Sequence, residues 1–243
     1  MRLQAVAQTH VGRRRQENED HFVLVPEAGL FVVADGMGGH RAGQVASRFA
    51  TEGATRAIEA LGAGSTSLAE RLRHGVSVAN GEIFGAAQAK PELEGMGTTI
   101  VAALFDAGRL ALAHIGDSRA YLLRGGRLRG LTNDHSVVAE LLRRQEISEA
   151  DAQRHPHRHV LTRALGVRPQ TEPDLAEMTP LEGDLFVLCT DGLTSHVGDS
   201  EIARMLTDEA DLELASRALV DAANDAGGLD NITVVLIRCE AED

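Results

Sequence analysis

Residues 30–40 read LFVVADGMGGH, and the first seven of them decide what kind of fold this chain can adopt. Leu30 to Ala34 is apolar without a break, so a strand here has no polar face to offer water. Such a strand is buried on both sides, against a second sheet on one and helices on the other. It then runs directly into Asp35-Gly36. Aspartate is a poor strand residue and a lone buried carboxylate is costly. The stretch therefore predicts a layered core with a carboxylate at its rim.

The same junction recurs. His114-Ile115-Gly116-Asp117, Leu188-Cys189-Thr190-Asp191-Gly192, and Gly228-Leu229-Asp230-Asn231 before Ile232 each join an apolar strand to an Asp near Gly. Asn18-Glu19-Asp20 precedes the strand beginning at Phe22. A single Asp-Gly pair is ordinarily only a turn. Several carboxylates gathered at strand ends repel one another unless cations lie among them. Hard oxygen ligands without clustered Cys or His select Mg²⁺ or Mn²⁺.

Outward from this stretch, Phe22 to Val25 and Leu30 to Ala34 are strands separated by a Pro-Glu-Ala-Gly turn. Ala42, Val45, Ala46, Phe49, Ala50, Ala57, Ile58 and Leu61 recur at helical spacing up to Gly62 and Gly64. Leu68, Leu72, Val76, Ala79 and Ile83 mark a second helix. Thr98 to Phe105 turns through Asp106-Ala107-Gly108 into Arg109 to Ile115. Arg119 to Arg124 follows, then Gly125-Gly126 and a short strand from Arg127. Connections this short make neighbouring strands antiparallel. Residues 145–180 read as polar and irregular, with a short helix at the Ser148–Asp151 capping box. The chain closes with a strand from Leu185 to Thr190, helical stretches near 200–225, and a strand from Ile232 to Ile237. Antiparallel strand runs with grouped helices give an α+β class. Without repeats or linkers, residues 1–243 read as one domain.

Composition removes several function classes. A net charge of -12 argues against a nucleic-acid binder. Lys90, the one lysine, is followed by Pro91, which leaves no Gly-Lys-Ser/Thr phosphate loop and no kinase lysine. Ser195 stands six residues after Cys189 and Cys239 is near the C-terminus, so neither cysteine heads a Cys-x5-Arg phosphatase motif. Both read as buried small apolar residues of a reducing compartment. No run approaches the roughly 18 apolar residues of a membrane span, and MRLQAVAQTH has no apolar signal region, so a cytoplasmic protein is expected.

Seven motifs then occur in fixed order: Gly12-x-x-Arg15-x-x-Asn18-Glu19-Asp20, Asp35-Gly36-Met37-Gly38-Gly39-His40, Gly95-x-Gly97-Thr98-Thr99, Gly116-Asp117-Ser118-Arg119, Leu131-Thr132-x-Asp134-His135-Ser136, Thr190-Asp191-Gly192 and Asp230-Asn231-Ile232-Thr233. Together they resemble the PP2C (PPM) family of metal-dependent protein phosphatases in its compact bacterial form, over about residues 8 to 237. The resemblance implies a four-layer α-β-β-α sandwich of two antiparallel sheets flanked by helices, with two or three Mn²⁺ or Mg²⁺ ions at one end. By that match Asp35 bridges two cations, with the Gly36 carbonyl on the first. Asp191 and Asp230 hold the second, Asp117 with Asp191 serves a third, and Glu19 and Asp20 orient metal-bound waters.

The implied reaction is hydrolysis of phosphoserine and phosphothreonine by a metal-bridging water, with Arg15 on the phosphate. Met37 stands where many relatives carry a histidine, so His40 is the candidate acid, or else a hydrogen-bonding residue of its loop. His135 reads as structural, as do the loop histidines of Arg154-His155-Pro156-His157-Arg158-His159, which the resemblance places in a flap around 145–180. Expected partners are phosphoproteins, including a cognate serine/threonine kinase and a forkhead-associated scaffold, and the chain is expected to be a monomer. Two other readings share these residues: an inactive regulatory module, disfavoured because Asp35, Asp117, Asp191 and Asp230 are all kept, and a hydrolase of small phosphate esters.

Overall fold

In the computed structural model, which describes residues 1–38, 42–62, 64 and 66–241, eleven strands divide into two antiparallel sheets. The first runs β1 (Arg2–His10), β11 (Ile232–Glu240), β10 (Leu185–Cys189), β7 (Arg119–Arg124), β8 (Arg127–Gly130). The second runs β2 (Asp20–Val25), β3 (Leu30–Met37), β5 (Ile100–Asp106), β6 (Arg109–Ile115), β9 (Asp174–Met178), with β4 (Gly97–Thr98) paired to the end of β3. Helices α1 (Ala42–Leu61) and α2 (Leu68–Ala89) cover the second sheet. Helices α5 (Asp191–Thr194), α6 (Asp199–Asp208) and α7 (Leu212–Asp225) cover the first. The short α3 (Val137–Arg143) and α4 (Glu149–Arg154) lie between β8 and β9.

Strand parity builds the layers. Along β3, Leu30, Val32 and Ala34 pack under the helices with Ala46, Ala50, Ile58 and Ile83. Phe31 and Val33 point the other way and meet Phe186, Leu188, Val235 and Ile237 of the facing sheet. On that sheet the alternate residues Val187, Cys189, Val234 and Leu236 pack under Leu193, Leu219 and Ala223. Side chains of period two thus supply three apolar interfaces, which is why these strands carry no polar face. The continuous run Leu30 to Ala34 is fully buried, as its composition requires. Cys189 and Cys239 are buried free thiols.

Two elements depart from the sequence reading. Residues 145–180 are not irregular throughout: Asp174–Met178 forms β9, registered Leu110↔Met178 to His114↔Asp174 on β6. Its sequence, DLAEM, has little strand propensity, and the pairing comes from a neighbour some sixty residues back. Likewise β1, RLQAVAQTH, is an edge strand paired along its length to β11. Only Val6 of β1 is buried, so its apolar pattern is faint. The Ser148–Asp151 capping box is present as read. No helix among the described residues is long and apolar enough to cross a membrane.

Candidate metal centre and active site

Antiparallel register brings the acidic junctions to one end of the sandwich. Asp20 at the start of β2 lies opposite Asp35 near the end of β3. Asp117 follows β6, Asp191 follows β10, and Asp230 precedes β11. Parity does the rest. Asp35 shares the side of Phe31 and Val33, so it points between the sheets, and Asp20 opposite it does the same. From the other sheet, Thr190 Oγ1 and Thr233 Oγ1 donate to Asp20 Oδ2 at 2.8 and 2.7 Å. Asp20 therefore stitches the sheets together where the carboxylates gather. Asp35 is held by its backbone: its N–H donates to Thr99 Oγ1 at 2.9 Å, and its carbonyl accepts from Thr98 Oγ1 at 2.8 Å and Thr99 N–H at 2.9 Å.

Gly36 fits because nothing larger could. A Cβ there would lie 2.0 Å from the Gly43 carbonyl oxygen and 2.6 Å from that of Glu19. This close approach seats α1 and the Glu19 loop against the end of β3.

The collected charge is self-repelling. Burial, then the charges of Asp20, Asp191, Asp117 and Asp230, hold the Asp35 carboxyl well above the usual carboxylate range. Burial pushes Asp20 up to about 7 despite the two threonine hydroxyls. Asp117 is also pushed up to about 7, by burial and then by Asp191 and Asp134. Asp191 is raised by burial and by Asp230, while one carboxyl of the Asp191–Asp35 pair can hydrogen-bond the other. Glu19 is raised chiefly by burial.

Among the described residues, no three acidic, His or Cys side chains are already closed into a metal cage. Asp230 is turned instead to Arg15, whose Nη2 lies 2.7 Å from Asp230 Oδ2 and whose Nη1 lies 3.9 Å from Glu19 Oε2. The donor set nonetheless fits divalent hard cations. It is all oxygen, and its carboxylates are held near one another at a free-energy cost that positive charge removes. Among the described residues, buried Asp20 Oδ1 and Glu19 Oε1 also have no hydrogen-bond partner. An orphaned buried acceptor is expensive and calls for a proton donor such as an ordered water.

Arg15 is half-exposed and lines a cleft of about 630 Å³ with Gln16, Glu17, Glu19, Gly38, Ala42, Glu92 and Leu93. Arg13 and Arg14 are exposed. His40 lies outside the described residues. In the segment after α4, His155 and His157 sit 5.6 Å apart, and His159 is near enough to Asp191 for its charge to favour the Asp191 carboxylate.

Several residues that build this end carried no role in the sequence reading. Asn231 accepts from Glu19 N–H at 2.8 Å and donates to the Val11 and Glu17 carbonyls at 2.9 and 3.0 Å, tying the Arg15 loop to the Asp230 loop. Thr98, Thr99, Thr190 and Thr233 serve Asp35 and Asp20 as described above. Their signal was proximity in sequence to Gly or Asp, which marks a turn as readily as a support.

The Protein phosphatase 2C sequence profile matches residues 7–233. The chain is 41% identical over 241 residues to the serine/threonine phosphatase stp of Listeria monocytogenes, covering 97% of this chain and 96% of that one. Its fold superposes with a TM-score of 0.92 on the serine/threonine phosphatase PstP of Mycobacterium tuberculosis, at 36% identity, covering 99% of this chain and 100% of that one. A PstP catalytic domain solved with two manganese ions matches with a TM-score of 0.89 at 36% identity, over 98% of this chain and 99% of the other.

Proposed function

The chain belongs to the protein phosphatase 2C family and is a metal-dependent protein serine/threonine phosphatase, and from that premise we propose which of its residues do the work. Asp35 and the Gly36 carbonyl, with Asp191 and Asp230, would hold two divalent cations, Mn²⁺ or Mg²⁺. Asp117 with Asp191 would serve a third. When bound, such ions supply Lewis acidity toward water and toward the phosphoryl oxygens at neutral pH. The observation that carries the assignment is the set of mutually repelling carboxylates at one sandwich end.

The protein groups then have separate tasks. Asp20 offers Oδ1, and Glu19 Oε1, neither partnered among the described residues, as acceptors that orient water. Arg15, half-exposed and paired with Asp230 in this structure, would present its planar fork to the phosphate. Water adds at phosphorus, the bond to the serine or threonine oxygen breaks, and the leaving oxygen takes a proton. Inorganic phosphate and the free hydroxyl result, with no protein nucleophile. His40 is the proposed source of the leaving-group proton. Residues 1–243 act as one phosphatase domain, with a flap within 145–180 whose far end is fixed in the sheet from Asp174 onward. The physiological substrates would include an autophosphorylated kinase and a forkhead-associated scaffold, the partner classes that the family resemblance implies.

The test is phosphate release from a phosphothreonine peptide by the purified chain, with Mn²⁺, with Mg²⁺ and with EDTA. Turnover in either metal that EDTA abolishes and metal restores supports the reading. Turnover that persists in EDTA, or none in any metal from folded protein, overturns it.

A further inference from the structure

One histidine stands behind the Asp117 turn without reaching the reacting centre. Nδ1 of His135, a buried side chain, accepts the Gly116 N–H at 3.1 Å, and the His135 N–H donates to the Gly116 carbonyl at 2.7 Å. Nε2 on the other side of the ring lies 3.1 Å from Asp174 Oδ2 and 2.5 Å from Arg163 Nη2. Asp174 is held in turn by Arg163, whose Nη1 lies 2.7 Å from its Oδ1. Gly116 has φ +107°, and a Cβ there would fall 2.5 Å from Thr99 Cγ2, so only glycine makes this turn. On the far side, Ser118 Oγ is 2.6 Å from Thr99 Oγ1, which also accepts the Asp35 N–H. Asp117 thus sits between two clamped neighbours. Below His135 lies the buried His114 ring, 4.6 Å away between centroids, a neutral floor whose pKa burial pushes down to about 3.

We propose that His135 is a positioning residue for the metal site: its Nδ1 grips the Gly116 N–H and so aims the Asp117 carboxylate, while Asp174 and Arg163 fix the ring from behind. The proposal rests on the reading that Asp117 is a cation ligand. The device recurs at the other site loops, where His10 Nδ1 accepts from Gly12 N–H at 2.9 Å and His196 Nε2 accepts from Leu229 N–H, next to Asp230, at 3.2 Å. A merely structural histidine would make its mutants unstable without changing how cations bind.

The experiment measures Mn²⁺ binding by calorimetry, and turnover against Mn²⁺ concentration, for wild type, His135→Ala, His135→Asn and Asp174→Asn. Thermal melts report folding. Asparagine places its amide oxygen where Nδ1 accepts, so it keeps the grip on Gly116. We expect His135→Ala to weaken the weakest Mn²⁺ site by about 10-fold or more, the scale of losing a group that orients a metal ligand. The Mn²⁺ concentration for half-maximal turnover should move with it, and KM for the phosphopeptide should stay within about twofold. His135→Asn should recover most of the loss, and Asp174→Asn should shift the same site more mildly. Wild-type Mn²⁺ binding in folded His135→Ala, or an Asn variant as impaired as Ala, overturns the proposal. If His135→Ala does not fold, unchanged Mn²⁺ binding in Asp174→Asn does so. Wild type binding no Mn²⁺ at all overturns the underlying assignment of Asp117, and this inference with it.

Discussion

The carboxylate rim and the segment from Val137 to Val160 are neighbours built on opposite rules. Behind the rim stand strands whose residues are wholly buried: Val32, Val33 and Ala34 behind Asp35, Leu188 and Cys189 before Asp191, and Ile232 after Asp230. In the second, α3 buries no residue and, among the described side chains, α4 buries only Ala152. Its roots are few and local: Val137 N–H to the Val160 carbonyl at 2.9 Å, and Thr162 N–H to the His135 carbonyl at 2.8 Å. The difference teaches where each kind of work can be done. Carboxylates that repel one another stay together only where surrounding packing leaves them no alternative. A surface that must admit and release protein substrates has to be able to give way.

The sharpest way to break this contrast is at Asp191. Asp191→Ala should lower metal-dependent turnover by on the order of 10²–10³ or more, the scale of losing a principal electrostatic stabiliser. In EDTA the same variant should be more stable than wild type by about 1 kcal/mol or more, because one crowded carboxylate is gone. Urea melts in EDTA check the sign. A variant that is both inactive and less stable without metal would mean that the rim is not strained by its own charge.

Gly36 comes next. Gly36→Ala must move either α1 or the Glu19 backbone, and overpacking of this kind costs about 3 kcal/mol. Leu142→Ala in α3, where the side chain is only partly buried, should cost less than about 1 kcal/mol. Equal losses in the two melts would erase the distinction between the rim and the segment from Val137 to Val160.

A pH series separates the rim from Asp174, at the start of β9, by sign. Asp20 and Asp117 have folded pKa values of about 7, far above an unfolded aspartate at about 3.9, and Asp35 and Asp191 are raised too. Between these limits the folded, metal-free protein binds more protons than the unfolded chain. Its stability therefore falls as pH rises from about 4 to about 7. Asp174 has the opposite sign. Burial alone would raise it, but Arg163 and His135 outweigh burial and hold it at about 2. Its contribution is present above pH 4 and fades as pH falls toward 2. Urea midpoints in EDTA should accordingly be lower at pH 7.5 than at pH 5. Excess Mn²⁺ should raise the midpoint most at the higher pH. A midpoint in EDTA that rises from pH 5 to 7.5 would contradict the rim's charge balance.

These same regions mark what the sequence discloses. Leu30 to Ala34, Leu185 to Cys189 and Ile232 to Ile237 were legible because continuous apolar runs admit few arrangements, and the aspartates because a carboxylate beside such a run needs a reason. β1 and β9 were not, since their pairing depends on β11 and β6 rather than on their own residues. The supports were hidden for a related cause. Nothing local says that Thr190 and Thr233 will both donate to Asp20, because only the meeting of two sheets creates that contact. His135 read as structural from its motif; its link to Gly116 needed the turn in three dimensions.

The smallest expected effect lies in the proposed flap and concerns discrimination rather than chemistry. Arg154 and Arg158 are exposed and flank His155 and His157, with His159 next in chain and close to Asp191. Replacing both arginines by glutamate touches none of the residues assigned to metals or phosphate. It reverses charge where a protein substrate would approach but a small ester would not. The double variant should change kcat/KM for phosphoprotein by about 3- to 10-fold, an effect weakened by salt, as is typical of charges at an interface rim. Turnover of p-nitrophenyl phosphate should be unchanged. Equal change on both substrates would show that the segment acts on the rim itself, which would make the flap part of the catalytic frame and dissolve the contrast between the two regions.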